Sequence, residues 1–224
     1  PGSTHDTHSK KKNWRPSVGD PALLKKLQNL CTAKLPTVAA AVLADQGETA
    51  TRDRLSELHG QFVTLVTSLN GTTGPDLTAD QRKDAEEILR EARQLARKDF
   101  NTFRNSCWNR LREDPEVKEV LDTMKSSGDA SSREHHAIQV KSVNDQGETK
   151  FKALDLEHRV RLSDAPWLYN SPQNLMVTDG HTNQQHFERL RAHGIWPSPG
   201  NFIEEFVIRF RLNDQGINFS PTGQ

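Results

Sequence analysis

The sequence predicts an α+β fold, with a helical N-terminal portion and a smaller strand-bearing portion after it. Three observations carry that expectation. Between Leu23 and Met124 apolar residues recur at intervals of three and four, the period of an amphipathic helix. From Ala137 to Leu156 the pattern changes to alternation, and it alternates again from Phe206 to Leu212. The 224 residues are 33% hydrophobic and 27% charged, with a mean hydropathy of −0.79, which suits a modest core under a charged helical surface.

Residues 1–19, polar and without periodicity, read as a disordered tail or linker. Asp20-Pro21 has the form of a helix start, an acceptor side chain followed by a residue that needs no N–H. Leu23, Leu24, Leu27 and Leu30 share the inner face of that helix. Pro36 is expected to interrupt it and start a second, shorter helix that ends near Gly47. A longer helix from about Thr49 carries Leu55, Leu58, Phe62, Leu65, Val66 and Leu69, and stops at Asn70-Gly71. His59 falls beside this stripe, where a histidine is a core-edge residue rather than a ligand. Thr78 with Gln81 forms a capping box, opening the longest helix, which runs to about Glu113. Its inner face is Ile88, Leu89, Ala92, Leu95, Ala96, Phe100, Phe103, Cys107 and Leu111. Asp114-Pro115 breaks it and begins a helix with Val117, Val120, Leu121 and Met124 inside and Gly128 at its end. Strands at 137–143 and 150–156 then flank an Asn144–Gly147 turn, and a second hairpin is expected around residues 206–219. The expected division is therefore a tail at 1–19, a helical region at 20–128 and a second domain at 129–224.

Lys and Arg together number 30, as do Asp and Glu, so no net charge draws the chain toward nucleic acid at long range. This argues against a non-specific nucleic-acid coat; an enzyme needs basic groups in one cleft only. Acids interleave with bases along the longest helix, which makes its charged side a solvated face. Cys31 and Cys107 are isolated from each other and from any zinc-ligand spacing, so neither a zinc ribbon nor a disulfide framework is expected. No apolar run reaches the roughly 18 residues of a membrane span. The polar N-terminus has no apolar signal core, so export by a conventional signal peptide is not expected.

The chemistry concentrates between Asp155 and His186. Glu157 and His158 end the second strand side by side, Asn174 opens a short β-prone run, and His181 and His186 follow in a helical stretch. Six of the nine histidines lie between positions 135 and 193. This order of strand, loop, strand and helix resembles the HNH/endonuclease VII nucleases of the ββα-metal superfamily. The resemblance covers about 30 residues closely and implies that 129–224 is a ββα-metal nuclease domain with added hairpins. It implies that His158 is the general base and Glu157 a metal ligand. Asn174 would shape the loop or reach the metal, and His186 would contact metal or phosphate. His181 stands five residues before His186, one out of the family's usual four-residue register, as a further metal contact. Arg159 and Arg161, at alternate positions, share a face that suits phosphate or an ordinary charged surface.

These residue types fit phosphodiester hydrolysis. An imidazole with a pKa of about 6.5 can deprotonate water near neutrality, and a divalent cation can hold the phosphate. Glu and Asn oxygens favour Mg²⁺ or Mn²⁺, whereas a histidine-rich set would take Zn²⁺ or Ni²⁺; Glu157 beside the base favours Mg²⁺. Glu134, His135 and His136 form a second cluster, read either as a polar loop or, with His158 or His186, as the Glu-His-His-His set of a bacterial toxin branch. Trp167, in the loop before Asn174, is expected to pack over the small ββα core. The expectation is an endonuclease acting on DNA or RNA, the toxin module of a bacterial effector. The family further implies delivery by a dedicated secretion system into a target cell's cytoplasm, and a cognate immunity protein. The competing reading is a non-enzymatic helical adaptor that binds another protein.

Overall fold

The computed structural model describes residues 13–68, 78–158, 162 and 165–182. Arg159, Arg161, His186 and the expected hairpin near the C-terminus lie outside them. The described residues form a mixed α+β arrangement of four α-helices and a four-stranded antiparallel sheet.

The chain enters the sheet earlier than expected. Trp14–Pro16, placed by sequence in a tail, is an edge strand, β1, paired antiparallel with residues 142–144. Three residues are too few to show alternation, and an edge position tolerates Pro16, which has no N–H to give. The Trp14 ring lies under the ammonium groups of Lys150 and Lys152, at 4.5 and 5.5 Å from its centroid.

Helix α1, Pro21–Gln46, starts where expected, with the Asp20 carboxylate accepting the Leu23 N–H at 3.0 Å. It does not stop at Pro36. Leu35, Ala39 and Val42, just before and beyond the proline, are buried, while Pro36 faces outward and is exposed. Burial of that inner face offsets the roughly 3 kcal/mol that an interior proline costs. Helix α2 is Ala50–Ser68. Helix α3, Ala79–Glu113, opens with the expected capping box, Thr78 Oγ1 accepting from Gln81 N and Gln81 Oε1 from Thr78 N. Asp114 ends α3 and caps α4, Pro115–Ser126, accepting from Glu116 N and Val117 N at 3.0 and 3.2 Å. Gly128, at φ +77°, then turns the chain so that Asp129 and Ala130 both donate to the Met124 carbonyl.

Strands β2, Gln139–Asn144, and β3, Thr149–His158, form the expected hairpin. Asn144 Oδ1 accepts from both Gln146 N and Glu148 N, and Gly147 takes φ +78°, which fixes the turn. The first half of β3 pairs with β2, and Leu154–His158 pairs with β4, Leu175–Asp179. Two short 3₁₀ turns, Pro166–Leu168 and Pro172–Asn174, occupy the connection.

One buried cluster runs through both portions of the chain. Leu27, Phe103, Trp108, Leu111 and Met124 from the helices pack in it with Val140, Leu154, Leu156, Leu175 and Val177 from the strands. Residue 128 thus marks a change of element type, and the core crosses it. Polar ties cross it too: Val177 N donates to Thr32 Oγ1 at 3.0 Å, and Gln28 Nε2 to Asp179 Oδ2 at 3.3 Å. Trp167 also meets the helical portion. It stacks on His59 at 4.7 Å and leans on Phe62 at 5.4 Å, so it packs on α2. His59 is the core-edge residue its position implied.

Candidate functional site

Alternation along β3 decides which side chains meet. Leu154, Leu156 and His158 point to the buried face, with Asp155 and Glu157 on the other. His158 is 6% exposed and lies against Phe100 of α3, ring centroids 4.4 Å apart. Its Nε2 is 2.8 Å from the carbonyl oxygen of Tyr169. A carbonyl only accepts, so Nε2 carries the proton and Nδ1 is the basic nitrogen of the neutral ring. Burial pushes the imidazole below its ordinary pKa, and the hydrogen bond to Tyr169 only partly offsets this. His158 is therefore neutral at pH 7 with a fixed tautomer, the form a general base requires.

Asn174 acts on the same loop. Its Nδ2 donates to the Leu168 carbonyl at 3.1 Å, one residue before the carbonyl that holds His158. This is the loop-shaping alternative expected of it. His158, at the end of β3, and Asn174, just before β4, thus both bond carbonyls of one loop, 165–174.

Glu157 lies on the opposite face from His158, half-buried, two residues from Asp155 on that face. Burial pushes the Asp155 carboxyl above its usual range, Arg104 opposes the shift, and Asp179 adds to it. Asp179 caps the start of the next helix: its Oδ1 accepts Thr182 N at 2.9 Å and its Oδ2 the Thr182 hydroxyl at 2.8 Å. Residues 180–182 are helical, so strand, loop, strand and helix start follow in the expected order. His181, in that first turn, places Nδ1 3.1 Å from Asn13 Oδ1. Among the described residues no three His, Cys, Asp or Glu side chains converge as a metal-ligand group. Asp155 and Glu157 supply hard carboxylate oxygens of the kind Mg²⁺ takes.

Glu134, His135 and His136 line an open cavity of about 610 Å³ with residues of α3 and α4. His136 Nδ1 is 3.2 Å from Asn109 Oδ1, and Arg112 donates to the His135 carbonyl. Lys118 and Lys125, also on its wall, both bond Asp122. This cluster is not joined to His158. His136 meets α3 at Asn109 and His158 meets it at Phe100, nine residues away. That spacing is about two and a half turns, so the contacts lie on opposite sides of the helix and roughly 13 Å apart along it. A single four-residue set made of Glu134, His135, His136 and His158 is therefore not formed.

Sequence reasoning missed Tyr169, Asp99, Phe100 and Asp155 as parts of the site. The shared face of Asp155 and Glu157 was available from alternation along the strand. The others were not: Phe100 reads as one more core position, and Asp99 as one more solvated charge.

Compared with known proteins, the chain matches no family model, no curated protein and no solved structure.

Proposed function

We propose that the chain is a metal-dependent endonuclease whose general base is His158, acting through Nδ1. The observation that carries this reading is the tautomer lock. A strand-end histidine is kept neutral, with its proton on the nitrogen that faces a carbonyl and its basic nitrogen on the other side of the ring. Asn174, just before the second strand, ties the loop that provides the lock. The helical turn at residues 180–182, its Thr182 amide bonded to Asp179, is in keeping with the order of elements such a site uses. In this mechanism Nδ1 takes a proton from water as the water attacks phosphorus. Burial against Phe100 holds the ring's orientation. Glu157, the ligand the resemblance implies, shares with Asp155 the strand face opposite His158, so a Mg²⁺ serving the same phosphate as Nδ1 would need His186 or His181 as its donor. A bound cation would stabilise charge on the phosphate and the leaving alkoxide. The wider reading is a toxin module of a delivered bacterial effector, countered by an immunity protein in the producing cell.

The test incubates the full chain with supercoiled plasmid and with structured RNA, in Mg²⁺, Mn²⁺, Zn²⁺ or EDTA. Cleavage that needs metal and falls at least about 100-fold in His158→Ala is the expected result. Intact DNA and RNA under every metal would overturn the nuclease and leave a helical adaptor as the reading.

A further inference from the structure

We infer that Asp99 is a positioning residue for His158, acting across α3 through Tyr169, so that the longest helix belongs to the catalytic frame. The inference takes the nuclease reading as its premise and adds the Tyr169–Asp99 contact to the His158–Tyr169 contact that reading uses.

Those contacts form a continuous path. The Tyr169 hydroxyl donates to Asp99 Oδ2, while the carbonyl of the same tyrosine accepts from His158 Nε2 at 2.8 Å. Tyr169 is 2% exposed, so both of its polar ends are satisfied inside the protein. The next residue of α3, Phe100, presses on the imidazole. Two consecutive α3 residues thus hold the ring, one by direct contact and the other through the tyrosine. Arg52 of α2 flanks the same carboxylate, its buried Nε 4.0 Å from Asp99 Oδ2. The guanidinium is itself moored by bonds to the Gly47 carbonyl and to Gln46 Oε1.

The path matters because loop 165–174 contains only two single-turn 3₁₀ segments. Such a loop keeps a carbonyl in place only where side chains tie it down. Asn174 ties Leu168, Trp167 stacks on α2, and Tyr169 is tied to α3 through its hydroxyl. Without that last tie the carbonyl drifts from His158, Nε2 loses its acceptor, and the proton redistributes between the two ring nitrogens. The basic nitrogen is then on the wrong side of the ring for part of the population.

The experiment uses the full ¹⁵N-labelled chain and reads the tautomer of His158 from its imidazole ¹⁵N shifts at pH 7.5, beside kcat and KM on plasmid DNA or RNA. The wild type should hold the Nε2–H form almost alone. Tyr169→Phe and Asp99→Ala should each give a tautomer mixture, with kcat lowered about tenfold to 100-fold and KM little changed. Asp99→Asn keeps an oxygen acceptor for the phenol and should restore both readouts. A structural role alone would lower stability without moving the tautomer. An unchanged His158 spectrum in Tyr169→Phe and Asp99→Ala overturns the inference, as does failure of Asp99→Asn to recover what Asp99→Ala loses. Folding is checked by far-UV circular dichroism. Should Tyr169→Phe or Asp99→Ala unfold, the one that folds is compared with Asp99→Asn and decides the outcome. If the wild type cuts no nucleic acid, the nuclease reading fails by itself, and the ¹⁵N spectra still decide whether Asp99 positions His158.

Discussion

At the scale of single residues, burial sets the chemistry of the ionisable core groups. It keeps His158 neutral, and it does the same to the two cysteines. Burial pushes the Cys31 thiol up to about 12, helped by Asp114, and pushes Cys107 up to about 12 despite Arg110. In the unfolded chain a thiol ionises near pH 8.5. The folded values are the higher ones, so the unfolded state loses its protons first. The thiols' contribution to stability is whole below about pH 8.5 and is lost as pH rises toward 12, by up to about 1.4 kcal/mol per pH unit for each thiol. The urea midpoint should fall between pH 8 and pH 10.5, and the fall should shrink in Cys31→Ala/Cys107→Ala. In the native chain at pH 8 neither thiol should react with an aromatic disulfide reagent; both should react in denaturant.

At the scale of elements, the helix boundaries depend on a few side chains. Asp114 closes one helix and opens the next. Burial raises its carboxyl, but the N–H groups of Val117 and Glu116, with Lys34, outweigh this and hold it below the usual range. Asp114→Ala should lower stability by about 1–2 kcal/mol, read from urea denaturation, because the amides of Glu116 and Val117 lose their acceptor. Pro36 predicts the opposite sign. It is exposed in the interior of α1, where it removes a donor. Pro36→Ala restores that N–H and should raise stability by about 1–3 kcal/mol by the same measurement. Caps, turns and periodicity made these helices and the β2–β3 hairpin legible in the sequence, because each rests on residues at most a few positions apart. The break expected at Pro36 failed because burial of Leu35, Ala39 and Val42 is a long-range gain that local propensity does not contain.

At the scale of the whole molecule, the helices cover the buried face of β3 and β4. Leu154, Leu156, Leu175 and Val177 lie in the same cluster as residues of α1, α3 and α4. The segment 129–224 expressed alone would expose that face and the His158 ring. It should show poor amide dispersion in ¹H–¹⁵N spectra and no cooperative thermal transition, whereas the full chain shows both dispersion and cooperativity. A well-dispersed spectrum from 129–224 would make the helical portion a separate domain.

The sequence by itself determined the α+β class, the caps of α1, α3 and α4 and the Asn144–Gly147 turn. The opposite faces of Glu157 and His158 were available from alternation along the strand, but the reading from sequence set both residues in one site. Only the tertiary structure decided that Trp14–Pro16 joins the sheet, that Trp167 turns to α2, and that Glu134, His135 and His136 lie apart from His158. The link from Asp99 through Tyr169 to His158 is of the same kind. Tyr169 stands 70 positions from Asp99 and 11 from His158, and no local pattern encodes such pairs. They form because the β3–β4 loop must satisfy its polar groups against the helix that covers it.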